Sequence, residues 1–160
     1  MSALFGFGDA SGGGFGSSWS TDKGINYRFG TWGSDMDEES SNLRELHNLV
    51  ETLEEIAISG ELNGKEMFLF TDNSTCEAAF HNGSSSSEKL FDMILRLKQL
   101  EMKHRAKIHI IHVSGKRMID QGSDGLSQGN LNVGVMAGHK MLDFVPINLS
   151  ALQRSPALKP

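Results

Sequence analysis

The chain has one cysteine, Cys76, in 160 residues. A lone thiol cannot close an internal disulfide, so nothing in the sequence calls for an oxidising compartment. Long apolar stretches are missing as well: no run approaches the roughly 18 residues that a membrane-spanning helix needs. The first residues lack the basic and apolar regions of a secretory signal, and the expectation is a soluble, intracellular protein with no membrane partner. None of the six histidines stands at a His-Glu-x-x-His or zinc-finger spacing, which with a single cysteine sets a structural zinc site aside. Positive charge is scarce too. Fifteen Lys and Arg face 20 Asp and Glu, for a net charge of −5, whereas nucleic-acid binders are usually basic. The shortage is local, because residues 35–61 carry nine acids against one base, Arg44, and the rest of the chain is left with +3. Basic residues gather at Arg96, Lys98, Lys103, Arg105 and Lys107, and again at Lys116 and Arg117. Each could touch a phosphate backbone or simply form a solvated face.

With 38% apolar residues the chain can build one ordinary core. Residues 3–7, 15–21 and 25–32 read as three strands of an antiparallel meander, with Gly12-Gly13-Gly14 and Asp22-Lys23-Gly24 as turns. No Gly-Lys-Ser/Thr follows the glycines and a strand comes next, so they do not form a phosphate-cradling loop. Residues 41–59 place Leu43, Leu46, Leu49, Val50, Leu53, Ile56 and Ala57 at helical spacing, with Ser40 or Ser41 as N-cap and Gly60 past the end. Met67 to Phe70 is a buried-strand run, and Asp72, Asn73 or Ser74 could cap the helix that begins around Glu77. A second amphipathic helix extends to about His104, residues 107–113 alternate as a strand, and a short final helix follows. The order βββ, α, β, α, α, β, α predicts an α/β fold with a mixed five-stranded sheet flanked by helices.

Four carboxylates recur in ordered settings: Asp9 in Phe5-Gly6-Phe7-Gly8-Asp9, Glu45 in Leu43-Arg44-Glu45-Leu46, Asp72 in Phe70-Thr71-Asp72-Asn73, and Asp124 in Ser123-Asp124-Gly125-Leu126-Ser127. At 100° per residue, Glu45 lies about 90° from the centre of its helix's apolar stripe, in reach of a neighbouring sheet, whereas Glu51 and Glu55 point away. It is read as a first-turn residue. Asp72 follows a central strand, and sites in open α/β sheets form at the carboxyl ends of strands. A fold that gathers these groups presents the hard oxygen donors that Mg²⁺ or Mn²⁺ prefers. Taken singly, Glu45 could be a solvated carboxylate near a helix N-terminus and Asp72 only a helix cap.

The order and context of these carboxylates resemble ribonuclease H, most closely the ribonuclease H domains of retrotransposon reverse transcriptases. In those, a His-Val-x-Gly segment precedes an Asp-x-Leu-Ser segment, here His112-Val113-Ser114-Gly115 and Asp124-Gly125-Leu126-Ser127. The resemblance covers about residues 3–128 and implies a ribonuclease H-like domain, with its sheet, over residues 1–128. It further implies cleavage of the RNA strand of an RNA/DNA hybrid and a covalently linked polymerase domain in a larger polyprotein. Asp9 would bridge two Mg²⁺ ions (Mn²⁺ also serving), Glu45 and Asp72 would complete the ion near the leaving group, and Asp124 the ion that activates water. Such ions stand about 4 Å apart. Asn42, Asn73, Ser74, Lys116 and Arg117 are the candidates for contacting substrate. Many relatives carry a mobile histidine in the loop after the last strand; here residues 114–123 contain none. His112 precedes that loop and by alternation shares a face with Ile108 and Ile110, so it is expected to be a partly buried structural residue. Asp120 could replace Asp124, but the Asp-Gly-Leu-Ser setting favours Asp124. Two other readings stay open: a DNA recombinase or transposase core, which would not need Glu45, and a silent ribonuclease H-like connection or nucleic-acid-binding module. Residues 129–160 hold too many apolar side chains for a free linker and show no period, so they form either a packed C-terminal extension or a lead into a further module.

Overall fold

A computed structural model describes residues 2–33, 40–83 and 87–146. The first three strands are β1 (Ala3–Ala10), β2 (Gly14–Thr21) and β3 (Gly24–Thr31); β1 pairs antiparallel with β2, and β2 with β3. Next come α1 (Ser41–Ile58), β4 (Glu66–Thr71), α2 (Ser74–Asn82), α3 (Glu88–His104) and β5 (Lys107–His112). Both β4 and β5 run parallel to β1, and the sheet order is β3-β2-β1-β4-β5. The expected mixed five-stranded sheet is present. Strand β1 extends past the predicted residue 7, so Asp9 sits inside its last turn of pleat, paired with Gly16.

Ser40 caps α1, its Oγ accepting the Leu43 N–H at 3.2 Å. Glu45 is the fifth residue of this helix, so it lies one turn in and not in the first turn as the sequence suggested. The apolar stripe of α1 (Leu46, Leu49, Leu53 and Ile56) is fully buried against Met67, Leu69, Ile94, Leu97 and Ile110. Close approach of α1 to β1 depends on Gly8, where an added Cβ would lie 2.8 Å from Leu49 Cδ2. Of the three cap candidates at α2, Asn73 is the cap: its Oδ1 accepts the Cys76 N–H at 3.0 Å, which starts the helix earlier than expected.

Beyond β5, the segment read as a loop is helical. Ser114 caps α4 (Gly115–Gln121) by accepting the Arg117 N–H at 3.1 Å, and Gly122, at φ 109°, separates it from α5 (Ser123–Leu126). Two turns between glycines are too short to show a 3.6-residue period in sequence. Two 3₁₀ turns follow, Gly134–Ala137 and Met141–Asp143. They bring Val135, Met141 and Val145 onto Phe5, Phe7, Phe68, Phe70, Val113 and Met118, which covers the sheet face opposite α1. Gly134, at φ 61°, passes so close to α4 that any Cβ there would overlap the Gln121 carbonyl oxygen. The expected features of residues 149–160 lie outside the described residues. Among the described residues, no helix is long and apolar enough to cross a membrane.

Candidate metal centre

The parallel pairing of β1 with β4 sets the carboxyl ends of these two central strands side by side, and α1 crosses the sheet so that its second turn overhangs them. Asp9, Glu45 and Asp72 therefore converge, each offering one carboxylate oxygen within 4.8 Å of the others. Asp9 and Glu45 are buried, at 4% and 3% exposure, whereas Asp72 is half-buried. Their immediate chain neighbours hold them. The Ala10 N–H donates to both Asp9 Oδ1 and Glu45 Oε2 at 2.9 Å, and the Thr71 hydroxyl donates to Glu45 Oε1 at 2.9 Å. Thus the residue after Asp9 and the residue before Asp72 orient Glu45 between them.

Without a cation these groups resist ionising together. Burial, reinforced by the charges of Glu45 and Asp72 and by contact with Asp124, raises Asp9 to about 9. Burial and Asp72 raise Glu45 to about 8, against the opposing hydrogen bonds from Thr71 and Ala10. Asp72 is raised by burial and by Asp124, while His112 pulls it down. Asp124, partly exposed on α5, thus faces both Asp9 and Asp72 although it stands outside the tight group of three. An all-oxygen donor set with surplus negative charge fits a hard divalent cation.

The other expected site residues are distributed around this centre. Asn42 Oδ1 accepts from Asn73 Nδ2 at 2.9 Å, joining the start of α1 to the cap of α2. Ser74 is exposed at the first position of α2. Lys116 pairs with Asp120 at 2.9 Å on the exposed side of α4. Arg117 donates to the Phe144 carbonyl at 2.9 Å and ties α4 to the following segment. His112 is exposed, not partly buried: it is the last residue of β5, opposite Thr71 in register, where the face begun by Ile108 and Ile110 opens to solvent while Val113 on the other face stays buried. In the basic stretch, Arg96 pairs with Glu54, and Lys98 lies 4.0 Å above the Phe80 ring and near Glu101. Those two cations are committed within the fold. A groove of about 550 Å³ opens beside the centre, lined by Ser11, Gly13, Phe29, Gly30, Ser127 and Gln128. Sequence reasoning missed Thr71, Ala10 and the buried Asn48; adjacency to Asp72 and Asp9 could have flagged the first two, and nothing in the sequence flags Asn48.

No protein-family model matches the chain, and no curated protein does. Solved structures do. Ribonuclease H1 of the halophilic archaeon Halobacterium salinarum is 19% identical, with a TM-score of 0.62 covering 81% of this chain and 98% of that one. LC11 ribonuclease H1 from compost, in complex with an RNA/DNA hybrid, is 16% identical, with a TM-score of 0.62 covering 84% and 97%. The foamy viral protease-reverse transcriptase with an RNA/DNA hybrid is 10% identical, with a TM-score of 0.53 covering 79% of this chain and 19% of that one. At these identities the likeness speaks for architecture alone: the chain has the ribonuclease H fold.

Proposed function

We propose that the chain is a divalent-metal-dependent endoribonuclease that cuts the RNA strand of RNA/DNA hybrids. The observation that carries this reading is the convergence of Asp9, Glu45 and Asp72 within 4.8 Å, with Asp124 facing them, at the carboxyl ends of β1 and β4. These four residues would hold two Mg²⁺ or Mn²⁺ ions. When bound, such ions polarise the phosphodiester and lower the pKa of an attacking water. The chain's own contribution is preorganisation. Ala10 and Thr71 fix the Glu45 carboxylate from both sides, so the site does not need to assemble when substrate arrives. Asn42, Asn73 and Ser74 stand at the adjoining helix starts, where amide and hydroxyl groups suit the 2′-hydroxyls by which RNA is told from DNA. Lys116 and Arg117 offer charge to the phosphate backbone at the other rim, in addition to their internal pairings.

The segments His112-Val113-Ser114-Gly115 and Asp124-Gly125-Leu126-Ser127 support a retroelement origin, with a polymerase domain linked in the same polyprotein. The foamy viral protease-reverse transcriptase, captured with an RNA/DNA hybrid, shares the fold.

The test is Mg²⁺-dependent cleavage of an end-labelled RNA/DNA hybrid, run beside single-stranded RNA, duplex RNA and duplex DNA. Cleavage of the hybrid alone, lost in Asp72→Asn with the fold retained, is the expected outcome. Equal cleavage by Asp72→Asn refutes the assignment.

A further inference from the structure

We infer that Asn48, backed by Arg28, is a positioning residue for the metal centre, a role that rests on the proposed metal-dependent function. Asn48 lies on α1 three residues after Glu45 and is fully buried. Its Nδ2 donates to the Asp9 carbonyl at 3.0 Å and to the Gly16 carbonyl at 3.1 Å, across the register pair of β1 and β2. Its Oδ1 accepts from Arg28 Nη1 at 2.8 Å and from the Ser17 hydroxyl at 3.2 Å. A primary amide has two donor protons and two acceptor lone pairs, and all four are used.

The Asp9–Ala10 peptide unit is therefore gripped at both ends from one helix. Glu45 takes its N–H and Asn48, one turn on, takes its C=O. The two grips differ in kind. Glu45 uses a carboxylate that is also a proposed ligand, so the oxygen that holds Ala10 would be shared with a cation. Asn48 uses a neutral amide, and its hold persists when the carboxylates are occupied. Aspartate could not substitute, because a carboxylate oxygen would face two carbonyl oxygens in a buried space.

Arg28 makes the arrangement directional. It comes from β3 and lies over the Phe15 ring at 4.4 Å. Besides Asn48 Oδ1, its Nη1 reaches the Asn48 carbonyl at 3.3 Å and Thr52 Oγ1 at 3.1 Å, and Glu51 accompanies it at 3.6 Å. A guanidinium on the acceptor side of an amide strengthens the donor side, since linked hydrogen bonds polarise one another. The charge of Arg28 thus acts on the Asp9 backbone through Asn48 without a cation entering the carboxylate cluster. Outer partners that orient metal ligands are typically worth about 10–100-fold in metal affinity.

The experiment is Mn²⁺ titration of the full chain by calorimetry, paired with thermal unfolding of the metal-free protein, for wild type, Asn48→Ser, Arg28→Met and Thr52→Val. Arg28→Met keeps an apolar stem on Phe15 and guards against a variant that fails to fold. Thr52→Val disturbs the same network one turn farther from Asp9. The expected result is Mn²⁺ affinity reduced roughly 10-fold or more in Asn48→Ser, reduced in the same direction in Arg28→Met, and unchanged in Thr52→Val whatever its melting temperature. Wild-type affinity in both Asn48→Ser and Arg28→Met, or an equal loss in Thr52→Val, overturns the inference. Absence of Mn²⁺ binding by the wild type, with Asp9→Asn giving the same trace, overturns the metal-centre reading itself and this inference with it.

Discussion

Raising the pH on metal-free protein should destabilise it, in a window set by the carboxylate cluster. Folded Asp9 holds its proton to about pH 9 against an ordinary value of 3.8, and folded Glu45 to about 8 against 4.5. Both values are raised, so their stabilising contribution is complete below about pH 4, where the unfolded chain is protonated too. It declines as the pH climbs toward 8 to 9. Each proton that only the folded state retains costs about 1.4 kcal/mol of stability per pH unit. The charge of Glu45 acts on Asp9, and one retained proton is the conservative count, which corresponds to a melting temperature falling about 3–6 °C per pH unit in a domain of this size. Scanning calorimetry in EDTA from pH 5 to 8 measures it directly. In Asp9→Asn the slope should flatten, since the amide does not titrate. Saturating Mn²⁺ should flatten it in wild type, because the cation takes the place of the protons and makes its own stabilisation grow with pH. A metal-free wild type whose melting temperature is level or rises across this window, or falls as steeply in Asp9→Asn, refutes the electrostatic account of the cluster.

Other outcomes follow from particular contacts. Thr71→Val removes the hydroxyl that donates to Glu45 Oε1 and should lower Mn²⁺ affinity roughly 10-fold with little change in fold, as calorimetry and circular dichroism would show. Glu45→Gln should abolish hybrid cleavage; retained cleavage of duplex DNA by that variant would favour a recombinase core. Gly134→Ala combines a positive φ with a Cβ on the Gln121 carbonyl, and should cost at least about 3 kcal/mol by urea unfolding.

Legibility in the sequence followed the range of the forces involved. Helix α1 and strand β4 were readable because a single buried face imposes its period on seven apolar positions or on one continuous run. The four carboxylates were readable from their contexts, and three of them do converge. Local polar competition was harder to see. Three adjacent residues could cap α2, and only the structure selects Asn73; Ser114 and two glycines turn an apparent loop into α4 and α5. The exposure of His112 depends on where its own face of β5 opens to solvent, a matter of one residue that alternation cannot resolve. Asn48 was invisible, since a buried amide in an amphipathic helix looks like a break in the stripe until its partners on β1, β2 and β3 are known. The segment around Gly134 shows no period because it adheres to the sheet through isolated apolar contacts at Val135, Met141 and Val145.

The parallel ladder between β1 and β4 joins residues about sixty positions apart, Ala3 with Glu66 and Phe7 with Phe70. Closing so long a loop costs chain entropy before any pairing repays it, and contacts of high sequence separation slow folding. The carboxylates at the ends of those strands come together only when that ladder closes, so no fragment ending before β4 can hold the centre. Ligand binding is then conditional on the completed topology, and a divalent ion that recognises only the folded chain draws the folding equilibrium toward it by mass action. On the proposed function, the long-range ladder would make a bound divalent ion a reporter of folding as well as a participant in chemistry.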